Sequence, residues 1–301
     1  MSRASSVDTA VAADPSARPE TVETKVPASR LRSLDVRTTG HPLDPGNMGS
    51  IVKPGELVDV VEISSLNRSE LVLYNQLLAH AWNDMAPGKV YRISKAVLRG
   101  SHESNDRLQD AFDRLMGAFA KVKHRDPRTG RAMTTRINLL GPNTEEDADQ
   151  GSFYYTFHDS LFRILENSQT WARLKSEIMY LLRSKYSIRL YEMIEKRINL
   201  HAQSESFSIE EFRSLLGVPD DKLPRYADFN KHALQPALEE INQLTDYVVT
   251  VGAVKRGRTV EKLVLTWLKK APEAAKAAAE ERARSRIGRS VRRAGRIEVI
   301  V

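Results

Sequence analysis

The sequence contains no cysteine among its 301 residues. This absence excludes disulfide bonds, zinc sites with cysteine ligands and cysteine nucleophiles. Long apolar runs are also absent, since no segment is long enough to cross a bilayer and the first residues lack the apolar stretch of a signal peptide. We therefore expect a cytoplasmic protein that does not contact a membrane.

Motifs for catalysis and metal binding are missing as well. The 7 histidines form neither a His-x-His pair nor a His-Glu-x-x-His motif, so no metal site is predicted. Gly88-Lys89 is followed by Val90 and lacks the first glycine of a phosphate-binding loop, which argues against ATP hydrolysis. Nothing in the spacing of the carboxylates marks an acid–base pair. We predict a protein that is not an enzyme and uses no cofactor.

Positive charge is in excess and clustered. Lys and Arg number 46 against 39 Asp and Glu, which gives a net charge of +7. A basic surface gains free energy when it displaces counterions from nucleic acid, so the charge indicates a polyanion partner. Together with the winged-helix pattern of the central part, the predicted partner is double-stranded DNA.

The two ends of the chain differ from its centre. Residues 1–56 are rich in Pro, Ala, Ser and Thr and show no sustained period, which predicts a disordered segment. Residues 271–301 have high helix propensity up to Gly288 and then several arginines. This basic tail is interpreted either as an auxiliary DNA-binding arm or as a solvated appendage.

The central part repeats one order of elements. A helix, a short helix, a long amphipathic helix and a basic hairpin occur twice, and Leu73-Tyr74 recurs as Leu190-Tyr191. The apolar face predicted for the first long helix consists of Leu108, Ala111, Phe112, Leu115 and Phe119. In the second copy, Ser208 and Glu211 form the pattern of a capping box.

Three helices followed by a β-hairpin are typical of a winged helix-turn-helix, in which the hairpin is the wing. The predicted fold is therefore α+β and mainly helical, with two tandem winged-helix domains and flexible extensions at both ends. We assign residues 57–170 to the first domain and residues 171–270 to the second. The first domain is expected to serve dimerisation and auxiliary DNA contact, and the second to read the DNA.

The long helix of the second domain lies in residues 224–242, "PRYADFNKHALQPALEEIN". The positions expected to pack inward are Phe229, Leu234, Leu238 and Ile241. Asn230, Lys231 and Gln235 then lie on another side, where their amides and ammonium suit base edges and phosphates. Pro236 removes one backbone hydrogen bond from a helix interior, so either the helix bends there or a new helix begins after a loop.

Both predicted wings are basic. The second carries Lys255, Arg256 and Arg258 around Gly257, which suits phosphate contact. The first, whose turn is Asp-Pro-Arg-Thr-Gly, carries Lys121, Lys123, Arg125, Arg128, Arg131 and Arg136. So dense a positive hairpin favours contact with the DNA backbone.

Two other helices carry charge. The first long helix has Asp106, Asp110 and Asp113 on outward positions, which would repel phosphate, so dimerisation or packing is expected there. The helix around Arg183 and Arg189 is interpreted as having surface cations that lie over a core, with phosphate contact as the alternative.

Four stretches of the second domain resemble the RepB-like plasmid replication initiators, which bind iterons through two winged-helix domains. They are "SKYSIRLYEMI", "FSIEEFRSLLGV", "YADFNKHALQPALEEINQLTD" and "VKRGRTVEKLVLTW". "LVLYNQLLA" and "FHDSLFRIL" fit the family more loosely, and the resemblance spans residues 60–268. The proline in the long helix belongs to this pattern, which favours the bent helix.

The resemblance implies a function in the bacterial cytoplasm, associated with a plasmid. Such proteins bind direct repeats at an origin, help open A+T-rich DNA and recruit the host initiator and the replicative helicase. Their dimers bind an inverted repeat and repress the initiator's own promoter. The DNA-reading helix would be Asp228 to Leu244, with Arg225 and Tyr226 just before it.

Three rivals stay open at this point. A transcriptional repressor with duplicated winged helices would use the same surfaces. A rolling-circle nickase needs a tyrosine and a pair of metal-binding histidines, and this pair is missing. In a scaffold protein the basic surface would be incidental.

Overall fold

The computed structural model describes residues 50–62, 66–99, 105–126, 128–148, 150–168, 170–198, 200, 202–289 and 292. The predictions for residues 1–49 and for the last residues of the chain lie outside this part. Within it, no helix is both long and apolar enough to cross a membrane.

The first half of the described chain alternates short strands and helices. Its elements are β1 (Ser50–Pro54), α1 (Gly55–Val58), β2 (Val61–Glu62), α2 (Arg68–Ala81), β3 (Tyr91–Ser94), α3 (Lys95–Arg99), α4 (Asn105–Met116), β4 (Phe119–Arg125), β5 (Ala132–Asn138), β6 (Asn143–Glu145), β7 (Ser152–Tyr155), α5 (Asp159–Asn167), β8 (Trp171–Lys175) and α6 (Ser176–Leu181). The strands form three antiparallel sheets with the orders β1-β8, β2-β4-β5 and β3-β7-β6.

The hairpin predicted for the first unit is confirmed. Strands β4 and β5 pair from Phe119 opposite Asn138 to Arg125 opposite Ala132. Between them the Asp126 carboxylate accepts hydrogen bonds from the backbone N–H groups of Arg128 and Thr129. These bonds fix the turn and lower the pKa of Asp126.

Two helices of the first half bury an apolar face, and the face predicted for the first long helix is confirmed with one exception. Leu71, Leu77 and Leu78 of α2 are buried, and Asn67 and Glu70 cap the helix reciprocally. In α4 the predicted apolar face is buried up to Leu115. Phe119, expected on the same face, is 45% exposed because the helix ends at Met116 and Phe119 begins β4.

The second half repeats the helix order with a longer wing. Its elements are α7 (Lys185–Arg197), β9 (Ser204–Ser208), α8 (Ile209–Leu215), α9 (Tyr226–Phe229), a π-helical turn (Asn230–Leu234), α10 (Gln235–Leu244), β10 (Tyr247–Arg256), β11 (Thr259–Lys269) and α11 (Pro272–Ala283). The strands form one antiparallel sheet of order β10-β11-β9. The predicted N-cap is confirmed, since the Ser208 hydroxyl accepts from the Glu211 N–H at 3.1 Å.

Residues 50–56 form β1 and the start of α1, which corrects the prediction of disorder for this part of the N-terminal segment. Strand β1 pairs with β8 from Ser50 opposite Lys175 to Pro54 opposite Trp171. Ile51 and Val52 are buried. The strand is stabilised by a partner far along the chain, so its own short stretch of sequence carries no period that predicts it.

A buried ionic cluster joins the two halves. The Glu192 carboxylate accepts hydrogen bonds from Lys53 at 2.9 Å, Asn75 at 2.9 Å and Arg189 at 3.2 Å. Burial alone would raise the pKa of Glu192, but the charges of Lys53 and Arg189 lower it below its ordinary value. Arg189 is only 2% exposed and also donates to the carbonyls of Val60 and Leu215, so it is neither a surface residue nor a phosphate contact.

The basic tail is ordered in its first part. In α11, Arg282 donates to the Leu244 carbonyl at 2.8 Å and to the Asp246 carboxylate at 3.1 Å. Glu281 is fully buried and accepts from Arg289 and Arg292. Arg282, Arg289 and Arg292 are therefore paired with carboxylates of the folded chain, whereas Arg286 is exposed.

Candidate nucleic-acid interface

The predicted DNA-reading helix runs from Tyr226 to Leu244 without a break. At its centre the N–H of Gln235 donates to the carbonyl of Asn230, five residues back, which is the bond of a π-turn. Pro236 follows directly, in the first turn of α10, where the lack of an N–H costs little. The helix thus continues across Pro236, and the alternative of a loop is wrong.

The π-turn sets which side chains face outward. Phe229, Leu234, Leu238 and Ile241 are all buried as predicted. Lys231 and Gln235 are exposed, whereas Asn230 is half-buried. Residues five apart point about 140° apart in an α-helix of 3.6 residues per turn, but the wider π-turn brings them nearly into line.

His232 is an exposed member of this face that was not among the predicted contacts. It adjoins Lys231 in the sequence. At a constant step of 100° per residue, His232 lies on the same exposed side of the helix as Lys231 and Gln235, so a helical wheel could have indicated it.

The start of the helix carries an ion pair. Arg225 is exposed and donates to Asp228, with Nε to Oδ2 at 2.6 Å and Nη2 to Oδ1 at 3.0 Å. These bonds raise the pKa of Arg225 and lower that of Asp228. Tyr226 is half-buried, and its ring lies 6.4 Å from that of Phe229.

The second wing is attached firmly to the helix. The amide of Asn242 in α10 accepts from the N–H of Val249 at 2.7 Å and donates to its carbonyl at 2.8 Å. At the far end, Gly257 with φ +63° and Arg258 form a two-residue turn. Lys255, Arg256 and Arg258 are all exposed at this tip, on the wing that Asn242 joins to the helix.

The first wing distributes its cations over both faces of the hairpin. Lys121, Lys123 and Arg136 line a cleft of about 900 Å³ whose other wall includes Glu205 and Glu211. The opposite side of the hairpin borders a second cleft of about 870 Å³ against α5. Its lining includes Arg125 and Arg128. Arg131 is exposed at the turn. The structure therefore does not gather these residues into one patch, as a single backbone contact would need.

The described residues include no group of three or more His, Cys, Asp and Glu placed to hold a metal ion. The titratable groups with perturbed pKa values are mainly buried tyrosines and ion-paired carboxylates. Burial raises the pKa of Tyr180, for example, and the partners of Glu192 lower that of its carboxylate.

The models of two domains of one protein family match the chain. "Initiator Replication protein, WH1" matches residues 50–195, and "Initiator Rep protein, WH2" matches residues 208–267. The chain belongs to the initiator replication protein family. The two matched regions cover about two thirds of it and correspond to the two winged-helix units, so the predicted tandem winged-helix fold is confirmed.

Solved structures were compared with the chain for their fold. The chain is similar to the Pi initiator protein, determined in complex with iteron DNA, with a TM-score of 0.55 and 17% identity over 73% of this chain and 97% of that one. At this identity the similarity shows the fold of the initiator. Domains 2 and 3 of RctB align over 73% of this chain and 87% of that one, with 12% identity and a TM-score of 0.37, too low to carry an argument. No curated protein sequence matches the chain significantly.

Proposed function

We propose that this initiator replication protein starts plasmid replication by binding repeated DNA sites, or iterons, at an origin. The observation that carries the proposal is the joint exposure of Lys231, Gln235 and the cations of the second wing on elements connected through Asn242. In a winged helix, the third helix enters the major groove while the wing follows the backbone. The fold shared with an initiator determined on iteron DNA supports this interpretation.

The proposed DNA contacts are distributed by element. The helix and the residues before it contribute Arg225, Tyr226, Asn230, Lys231 and Gln235, and the second wing contributes Lys255, Arg256 and Arg258. The first wing contributes Lys121 and Lys123 from one side and Arg125, Arg128 and Arg131 from the other side and the turn, as separate contacts to the backbone. The unit at residues 171–270 thus reads sequence, and the unit at residues 57–170 lengthens the contact.

Regulation belongs to the same proposal. The first unit supplies a dimer interface, and the dimer binds an inverted repeat and represses the protein's own promoter. Bound at direct repeats in the bacterial cytoplasm, the protein opens A+T-rich DNA and recruits the host initiator and the replicative helicase. This role involves no catalysis, because strand opening draws on binding energy and DNA bending.

Binding to duplexes that tile the protein's own replicon, at two salt concentrations, tests the proposal. We expect discrete complexes that add stepwise on a fragment with direct repeats. Binding to a single inverted repeat, without origin-dependent replication in cells, would instead indicate a transcriptional repressor. Salt-sensitive binding without any preferred sequence would contradict both functions.

A further inference from the structure

The guanidinium of Arg225 is held on one side only. Its side chain is 79% exposed, and the Asp228 carboxylate engages Nε and Nη2 together. An arginine carries five N–H donors in a planar fork. This pair occupies the Nε–H and one Nη2–H, so the outer edge with Nη1 and the second Nη2–H remains available beyond the carboxylate.

That outer edge matches one kind of acceptor best. Two parallel donors fit either the O6 and N7 atoms of guanine or two oxygens of a phosphate. Asp228 places a negative charge directly beside the fork. This charge repels a phosphate, but its repulsion of a neutral base edge is much weaker. The geometry therefore favours a guanine over the DNA backbone.

The backbone around this pair is also held in place. Arg213 donates to the carbonyl of Lys222 at 2.6 Å and to that of Leu223, and it lies over the Phe229 ring at 5.5 Å. Leu223 adopts φ +51°, a conformation that such contacts must stabilise in a residue other than glycine. Because the backbone of this turn is already held in place, Arg225 loses little additional conformational entropy when it binds.

We propose that Arg225, oriented by Asp228, reads one guanine in the major groove of the DNA site. Asp228 is the positioning residue, and Arg225 makes the contact. The inference rests on the proposed function, because it requires that the helix enters the groove, and it adds the base that this part of the helix recognises.

Selection from a randomised duplex library by the purified full-length protein provides the test. The wild type is expected to select a motif that contains the guanine. Arg225→Lys keeps the charge but loses the fork, so its preference for that guanine should fall by roughly 5- to 150-fold. Asp228→Asn should lower the same preference while affinity for random DNA rises, because a negative charge is removed.

A matched control lies in the preceding turn. Asp221 forms an exposed ion pair with Lys222 at 3.4 Å, and Asp221→Asn removes one carboxylate without touching the fork. Affinity for random DNA should rise as with Asp228→Asn, but the guanine preference should stay. Melting curves that match the wild type will show that the variants fold.

Each alternative outcome overturns the inference in a recognisable way. An unchanged guanine preference in Asp228→Asn would make the pair an ordinary surface contact. An equal loss on all sequences in Arg225→Lys would assign the arginine to phosphate. A wild-type motif without an Arg225-dependent guanine would overturn this inference alone, whereas no motif at all would overturn the proposed function too.

Discussion

Gln235 and Asn230 are joined twice across the π-turn, once through their backbones and once through their side chains. The N–H of Gln235 donates to the Asn230 carbonyl, and its Nε2 donates to Asn230 Oδ1 at 3.3 Å. Two amides that an α-helix would point apart therefore form one polar surface. Each keeps unused donor and acceptor capacity, as recognition of a base edge requires.

Gln235→Ala should lower affinity and relax discrimination at one base position. The expected loss is about 1–3 kcal/mol, because the amide pair is presented to a single base. Competition among duplexes that each carry one substituted base pair measures it. Gln203→Ala, an exposed glutamine outside the helix, is the matched control. A uniform loss across all sequences would assign Gln235 to phosphate.

Pro236→Ala tests the role of the π-turn. A proline inside a regular α-helix costs about 3 kcal/mol, which alanine would restore. Because Pro236 lies in the first turn of α10, just after the π-turn bond, the expected change in the free energy of unfolding is below about 1 kcal/mol. Chemical denaturation measures it, and a gain near 3 kcal/mol would show that the turn does not accommodate the ring.

Arg256→Ala combined with Arg258→Ala should weaken DNA binding with little change in sequence preference. Each phosphate contact releases about one counterion, so the slope of log affinity against log salt should flatten by about 2. Titrations at several salt concentrations measure the slope. Lys269→Ala, exposed on the same sheet but at the end away from the tip, should leave it unchanged. An unchanged slope in the double variant would show that the second wing does not contact the DNA.

Glu195 should make the protein less stable as pH rises. Burial raises the pKa of Glu195 to about 7, with Lys175 and the Tyr191 hydrogen bond lowering it and Asp246 raising it. The unfolded chain releases this proton near pH 4.5, so stability falls between about pH 4.5 and 7, by about 3 kcal/mol in total. Above pH 7 the loss is complete.

Glu195→Gln removes that titration. The free energy of unfolding of the variant relative to the wild type should therefore increase by about 2–3 kcal/mol between pH 5 and pH 8. Urea denaturation at both pH values measures this difference. Glu210→Gln, on the exposed start of α8, is the control. An equal difference at both pH values would mean that Glu195 is charged in the folded protein throughout.

Arg282→Ala should loosen the attachment of α11. The side chain is 13% exposed, binds Asp246 and the Leu244 carbonyl, and lies 3.5 Å from Glu177. Loss of hydrogen bonds from a charged group costs about 1–3 kcal/mol. Thermal unfolding of Arg282→Ala measures this loss. The control is Arg284→Ala: the Arg284 side chain is 51% exposed, so its removal should change the free energy of unfolding by less than about 0.5 kcal/mol. Equal effects would show that α11 does not depend on Arg282.

Elements stabilised by neighbours in sequence were predictable. The apolar face of α4, the cap at Ser208 and the turn of the first hairpin each involve residues a few positions apart. Strand β1 and the docking of α11 could not be predicted from the sequence, because the residues that they contact lie far along the chain. Lys231 and Gln235 are exposed on the long helix as predicted, whereas Asn230 is half-buried and is bonded to Gln235 across a π-turn that the sequence did not predict.

The amino-acid sequence by itself determined the tandem winged-helix order, the basic wings and the polar face of the long helix in the second unit. Only the tertiary structure decided which basic side chains are exposed and which are buried or ion-paired. Arg189 is buried against Glu192, Arg289 is paired with Glu281, and the first wing turns its charges to two sides. The reason is physical. The spacing of apolar residues along a helix or strand follows from local backbone geometry. The burial and ion pairing of a charged side chain depend instead on distant groups that folding brings within a few ångströms.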